Sequence, residues 1–416
     1  QHAERVFTVL RHRVIAPLGA DIVALLQLLF FGNRRQSLTD FVLSDLGVAR
    51  YFPYSLERSL RLFPSREAIE DYQLCGEYSD VYRAYRELDV SERDPAFLVE
   101  LAEALCDKTF DHDASCKRWF RLCNRVARDL ERQEHWALAY RLYGRSNLHP
   151  ARERALRVLE QLEQWEDVYR LMQSIEASPW CEAELDALRR MEPRLLRKMA
   201  EPVSRRTRET FAEMRLSVPR SSSSVELDVA REISAQWREV HYVENNLMCG
   251  LFGLVFWEQI FAPIPGAFNN AYQSVPADMY EQDFLRRRHA SIELRLQELE
   301  QQPLATVLDD AYTAYQGYQN HWVRWRYLGR ELVAAAANCI PPQHLLSIWR
   351  RMLFDPGENR RGFPDLIAFG NAPGDYLMLE VKGPGDALQE SQKRWLRHFQ
   401  SEEIPARVGW VDWCDA

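Results

Sequence analysis

Arg361-Gly362-Phe363-Pro364-Asp365-Leu366 and, after a turn, Leu379-Glu380-Val381-Lys382-Gly383-Pro384 are the segments on which the fold of this 416-residue chain turns. From Asp375 to Lys382 apolar and polar positions alternate. Leu377, Leu379 and Val381 point one way, and Met378, Glu380 and Lys382 the other. Period-two alternation predicts a strand, so the Glu380 carboxylate and the Lys382 ammonium stand side by side on one face. Asp365 to Phe369 is the expected neighbouring strand, with Pro364 at its start, where no ladder donor is needed. Asn371-Ala372-Pro373-Gly374-Asp375 supplies turn residues between the two. Such a hairpin brings Asp365 next to Glu380.

Two carboxylates without a neighbouring Cys or His suit a hard cation, Mg²⁺ or Mn²⁺, as one or two ions. An ion of that kind polarises a phosphoryl group and acidifies a bound water. Lys382 can orient that water or stabilise charge on phosphorus. On the short pattern alone, a hairpin with a surface ion pair fits at least as well. Downstream, Asp386 with Gln389 fits a capping box. Leu388, Trp395, Leu396 and Phe399 share one helical face with Gln392. A polar amide in an apolar stripe is either a satisfied core group or a partner of the site.

The extended set from Arg361-Gly362-x-Pro364-Asp365-Leu366 through Glu380-Val381-Lys382-Gly383-Pro384-x-Asp386-x-Leu388 to Gln392-x-x-Trp395-Leu396 resembles the VRR-NUC nuclease domain of the PD-(D/E)xK superfamily. A second patch sharpens the resemblance. Glu244 precedes an apolar helix expected over 246–261. An acid there is ordinarily explained by the helix dipole. Yet Glu244 … Gly250-Leu251-x-Gly253-Leu254-x-Phe256-Trp257 … Pro265 … Phe268-x-Asn270-Ala271 … Gln273-x-x-Pro276 … Asp278 is similar to the Fanconi-associated nuclease family. Together the two patches cover about 240–416. The resemblance implies that Glu244, Asp365 and Glu380 hold the metal, with the Val381 carbonyl as a further ligand. It also implies that Lys382 is the catalytic lysine, with Gln392 beside it.

The expected architecture is an α-rich, multidomain chain. Helical N-terminal and central (TPR-like) regions, 1–110 and 111–220, precede a nuclease module over 225–416. That module holds a small α/β PD-(D/E)xK domain with a mixed sheet, its VRR-NUC core at about 305–416. His135-Trp136-Ala137-Leu138-Ala139-Tyr140 is echoed by Gln164-Trp165-Glu166-Asp167-Val168-Tyr169, and more weakly by Glu77 to Tyr85. Helix pairs of this kind resemble tetratricopeptide arrays, or one packing pattern reused. Val218-Pro219-Arg220 and the serines 221–224 mark a boundary, where Ser223 and Glu226 fit a helix cap.

Net charge is −8 with 46% apolar residues, so any polyanion-binding surface must be local. The eight cysteines show no CxxC spacing, which excludes a zinc cage and a dense disulfide framework and points to a reducing compartment. Residues 18–32 are apolar but short and contain Asp21, which predicts a buried helix rather than a membrane span. Lys117, Arg121, Arg125, Arg128 and Arg132 form a basic helical stripe opposite Trp119, Leu122, Cys123, Val126 and Leu130. Such a stripe is ordinarily a solvated face; beside a nuclease site it is a phosphate track. His149-Pro150-Ala151-Arg152-Glu153-Arg154 opens another helix, where Arg152 and Arg154 suit a terminal phosphate. Arg286-Arg287-Arg288-His289 is a third cluster.

The resemblance implies a metal-dependent, structure-selective DNA nuclease of phosphodiesterase I type, a 5′-flap endonuclease and 5′→3′ exonuclease acting in interstrand crosslink repair. Its partner would be branched or flapped double-stranded DNA with a 5′ phosphate, and its expected location a bacterial, nucleoid-associated cytoplasm, with no membrane. A Holliday-junction resolvase and a non-catalytic DNA-binding scaffold with a nuclease fold are the alternatives. No Cys/His spacing matches the ubiquitin-binding zinc finger of eukaryotic relatives.

Overall fold

In a computed structural model, residues 19–32, 39–203, 209–219, 221 and 224–414 are described. Arg220, Ser222, Ser223 and the first residue of the apolar stretch 18–32 lie outside them. The helices are α1 Ala20–Phe31, α2 Thr39–Asp45, α3 Arg66–Glu87, α4 Pro95–Asp107, α5 Asp113–Arg132, α6 Trp136–Tyr143, α7 Ala151–Gln161, α8 Trp165–Ala177 and α9 Glu182–Lys198. They continue with α10 Val225–Ile233, α11 Asn246–Val255, α12 Trp257–Ile260, α13 Phe284–Gln301, α14 Leu304–Tyr315, α15 Arg330–Cys339, α16 Pro342–Phe354 and α17 Glu390–Ser401. A small parallel pair joins β1 Arg50–Tyr51 to β4 Tyr318–Gln319. The main sheet contains β2 Glu213–Pro219, β3 Glu239–Tyr242, β5 Leu366–Phe369, β6 Tyr376–Lys382 and β7 Ala406–Cys414, in the order β2-β7-β6-β5-β3.

That sheet is mixed. β2, β7 and β6 are parallel, whereas β6–β5 and β5–β3 are antiparallel. The predicted hairpin is present, with Leu366 opposite Leu379 and Phe369 opposite Tyr376. Its alternation sorts two cores. Leu379 and Val381 pack with Val229 and Ile233 of α10. Met378 and Tyr376 face the larger core, which also takes in Trp257, Trp349 and Trp395.

The helices before the sheet form a layered array in which α5 packs on α6, α6 on α7, α7 on α8 and α8 on α9. The two echoed segments begin α6 and α8. Trp119, Leu122 and Leu130 of α5 are buried with Leu98 and Leu105 of α4, so one core runs across the expected boundary at 110.

Four local expectations are corrected. Residues 213–219, assigned to the helical region, are an edge strand of the main sheet; Leu216 and Val218 are buried and alternate with exposed neighbours. The helix expected over 246–261 breaks at Phe256, where ψ is 20°. α1 forms, but Ile22, Val23, Leu26, Leu29 and Phe30 are exposed, because a helix apolar all round has more surface than one contact covers. The last helix starts at Glu390, not near Asp386. Gln389 and Gln392 form the capping box, and the Asp386 carboxylate instead accepts from the Gly383 N–H at 2.9 Å. Leu388 therefore precedes the helix. No helix among the described residues is long and apolar enough to cross a membrane.

Candidate functional site

The hairpin pairing sets Asp365, at the start of β5, beside the end of β6. Asp365 Oδ2 accepts the Val381 N–H at 2.9 Å, and its main-chain carbonyl accepts the N–H groups of Val243 and Glu244 at 2.8 and 3.0 Å. Those two bonds fix the bend into α11, where Glu244 has a φ of 42°. Phe363 N–H donates to the Asn245 side chain at 3.1 Å, so the loop before Asp365 and the start of α11 move as one.

Glu380 is 1% exposed and Lys382 8%. Lys382 Nζ lies 2.9 Å from Glu380 Oε1, and Gln392 Nε2 donates to the same oxygen at 2.5 Å. The Gln392 amide therefore hydrogen-bonds the Glu380 carboxylate. Trp395 Nε1 donates to the Arg361 carbonyl at 3.0 Å, and its ring packs on Phe363 at 4.1 Å, which holds α17 against the loop.

Burial pushes the Glu380 carboxyl up to about 7, reinforced by Asp365 and opposed by Lys382. Asp365 is pushed up to about 6, chiefly by burial; the Val381 N–H and Lys382 oppose the rise, and Glu226 and Glu244 add to it. Two adjacent buried acids that resist ionising together are a pair whose ionised forms a cation would stabilise. Glu380 Oε2 is buried and has no hydrogen-bond partner. An orphaned carboxylate oxygen beside a second carboxylate is what an oxygen-ligated divalent cation would satisfy. Glu244 borders this pair, and the Tyr242 hydroxyl donates to its Oε1. No group of three His, Cys, Asp or Glu side chains among the described residues closes into a metal cage.

Glu226, on the first turn of α10, was missed as a site acid. Its charge acts on Asp365 and on Tyr242, and its Oε2 accepts the Ser224 hydroxyl at 2.5 Å. In sequence it looks like a capping residue, and only the sheet brings α10 over Asp365.

The basic residues separate into two groups. Arg125 and Arg128 line a cavity of about 510 Å³ with Arg83, Arg86, Arg132 and Arg154. Arg125 is exposed, has no carboxylate partner among the described residues and lies 5.7 Å from the Tyr82 ring. Arg154 edges this cleft but is forked onto the buried Glu131, with Nε 2.9 Å from Oε1. Within the cleft Arg83 is paired with Asp80, Arg86 and Arg132 with Asp129, and Arg128 with Glu131; the residues away from it are also occupied in structural pairs. Lys117 and Arg121 reach Glu281, and Lys117 also Asp283 at 3.2 Å. Arg152 is bidentate to the buried Glu184 at 2.6 and 2.9 Å and stacks on Trp180. Arg287 and Arg288 hold Asp278. Spacing alone does not separate these groups, because the absorbing acids lie far away in sequence.

Known proteins share this arrangement. Residues 299–413 match the VRR-NUC domain. A Fanconi-associated nuclease 1 homolog of Pseudomonas aeruginosa is 36% identical over 393 residues, which is 93% of this chain and 68% of that protein. The homolog of Schizosaccharomyces pombe is 28% identical over 185 residues, 44% of this chain and 26% of its own length. A crystal structure of paFAN1 bound to 2-nt 5′-flap DNA with a gap superposes with a TM-score of 0.77 at 33% identity, covering 100% of this chain and 77% of that one. A complex with a 1-nt flap gives 0.73 at 34%. Identity of this order across nearly the whole length, on the same fold, decides the relationship: the chain belongs to the Fanconi-associated nuclease 1 family.

Proposed function

We propose that this chain is a metal-dependent, structure-selective DNA nuclease that cuts 5′ flaps near the junction and degrades DNA from a 5′ end, with interstrand crosslink repair as its setting. The observation that carries the chemistry is the orphaned Glu380 Oε2, buried beside Asp365 and within one contact of Lys382 and Gln392. Asp365 and Glu380 would hold Mg²⁺ or Mn²⁺, with the Val381 carbonyl and Glu244 as further oxygen donors. When bound, such an ion supplies Lewis-acid polarisation of the phosphoryl group and a more acidic water. Lys382 orients the attacking water and places positive charge near the phosphorus, where negative charge builds up in the transition state. Gln392 holds Glu380 in the orientation that leaves Oε2 free.

The substrate follows from the surface. A net charge of −8 leaves phosphate binding to local clusters, and the cleft around Arg125 and Arg128 is such a cluster. It suits a terminal 5′ phosphate. Recognition by phosphates and shape, without base reading, selects flaps, nicks and gaps rather than a sequence. The solved relatives in complex with gapped 5′-flap DNA support this assignment. An intact acid pair with its lysine argues against a decayed scaffold.

The experiment is cleavage of a 5′-phosphorylated flap duplex with Mg²⁺ or Mn²⁺, compared with a 3′-flap duplex, a four-way junction and the Asp365→Ala protein. Cuts confined to the 5′ flap and absent in the variant are expected. Paired symmetric cuts in the junction would point to a resolvase instead.

A further inference from the structure

The cleft and the acid pair belong to different parts of the fold, yet a series of ion pairs, linked by short stretches of helix, joins them. It begins on α7, where Arg154 edges the cleft. Two residues earlier, Arg152 forks onto Glu184 of α9 at 2.6 and 2.9 Å, and Glu184 also accepts the Trp180 N–H at 2.6 Å. One half-turn along α9, Asp186 meets Arg394 of α17 at 3.0 Å, and Glu358 takes the second nitrogen of that guanidinium at 2.8 Å. Arg394 follows Gln392 on the same helix, and Gln392 holds Glu380. A second tie runs parallel: the buried Glu182 accepts from Arg351 at 2.5 Å and from Asn359 at 3.1 Å, and its own N–H donates to Asp355.

Glu182, Glu184, Asn359 and Arg394 are all buried. Buried, bidentate pairs are directional, and separating their members leaves an uncompensated charge out of water. They contribute little to net stability compared with an apolar contact, but they strongly disfavour sliding of α9 over α17. Apolar packing of Leu156 and Leu159 on Leu188 and Leu195 keeps α7 on α9 without fixing their offset so sharply.

We propose that this series is a strut that fixes the distance from the arginine-lined cleft to Glu380, and so sets how many nucleotides separate a bound 5′ end from the cut. Glu184, Asp186 and Arg394 are then positioning residues that touch neither DNA nor metal. The inference rests on the proposed phosphate cleft and adds the element that calibrates it.

The test is the product-length distribution of the full chain with Mn²⁺ on a gapped 5′-flap duplex, with and without the 5′ phosphate, at nucleotide resolution. Wild type should give one dominant product when the phosphate is present. Asp186→Asn and Arg394→Gln should raise the neighbouring products several-fold while total cleavage stays close to wild type. Arg394→Lys should recover part of the sharpness. Glu184→Gln, which loosens the α7 end, should broaden the distribution in the same way. Asp186 is less buried than its partner Arg394, so its isosteric variant decides the matter if another variant fails to fold. A distribution that stays sharp in Asp186→Asn and Arg394→Gln, with phosphate dependence intact, overturns the strut. Wild-type products that are insensitive to the 5′ phosphate overturn the cleft assignment, and the strut with it.

Discussion

Gln392 shares one oxygen of Glu380 with Lys382: Nε2 donates to Oε1 at 2.5 Å, while the Gln392 side-chain oxygen accepts the Gln389 N–H at 2.9 Å. One amide thus caps its own helix and orients the site carboxylate. Its flip state is fixed, because the end that accepts from the backbone cannot also donate to Glu380.

Replacing Gln392 with Ala should cut single-turnover cleavage by about 10- to 100-fold, the usual range for partners that orient a metal ligand. Gln392→Glu should be worse, since it sets a third carboxylate against Glu380 and removes the N–H that donates to it, while the cap keeps its acceptor. Flap binding, measured by anisotropy, should change little in either variant. Equal losses in binding and cleavage would show that the residue supports the fold rather than the site.

Metal removal couples to pH with a defined sign. Asp365 and Glu380 have folded pKa values raised to about 6 and about 7. A raised acid pKa contributes stability that is fully present below the unfolded value and is lost as pH rises through the folded one. Metal-free protein should therefore lose stability from about pH 4 upward, most steeply between about pH 4.5 and 6, where both acids are protonated only in the folded state, with the loss complete a little above pH 7. Protons compete with a divalent ion for the same oxygens, so the thermal shift produced by Mn²⁺ should be larger at pH 8 than at pH 5.5. Asp365→Asn should abolish that difference. Glu226→Gln removes a charge that raises Asp365, so it should move the onset of activity to lower pH.

The hairpin was legible because period-two alternation from Leu377 to Lys382 admits one strand and one facing. The meeting of the Glu380 and Lys382 side chains was legible for the same reason, since the alternation sets them on one face. The start of α17 was not, because Asp386 and Gln389 satisfy the capping pattern as well as Gln389 and Gln392 do. Only the approach of the 361–363 loop selects between them. Strand β2 was masked by a mostly helical neighbourhood, and its partner β7 lies at the opposite end of the chain. Arg152 shows the same difficulty for charges: its spacing marks a helix start, while Glu184, which neutralises it, is unpredictable from local sequence.

Gly362 is the narrowest point of the site. Its φ is 86°, and a Cβ there would come 2.6 Å from the Ser391 backbone carbon and 2.8 Å from Gln392 N. Both the left-handed backbone and the close approach exclude a side chain. Gly362→Ala should push α17 away from the loop, with a destabilisation of about 1–3 kcal/mol. Because the displaced residue is Gln392, cleavage should fall more than stability alone explains. The check is activity measured well below the melting temperature of the variant, where the folded fraction is saturated.

Arg125 and Arg128 test the cleft by its salt dependence. Each arginine that contacts a phosphate releases condensed counterions, so its removal should lower the slope of log affinity against log salt by about 1. Arg125→Ala should show this fully, since no carboxylate competes for its guanidinium. Arg128→Ala should show less, because Arg128 also pairs with Glu131 at 2.9 Å. Arg152→Ala should leave the slope unchanged, its charge being spent on Glu184. The preference for a 5′-phosphorylated over a 5′-hydroxyl flap should fall in the first two variants and persist in the third. If Arg152→Ala alone lost that preference, the terminal phosphate would have to seat at the start of α7, and the Arg152–Glu184 pair would have to open to receive it.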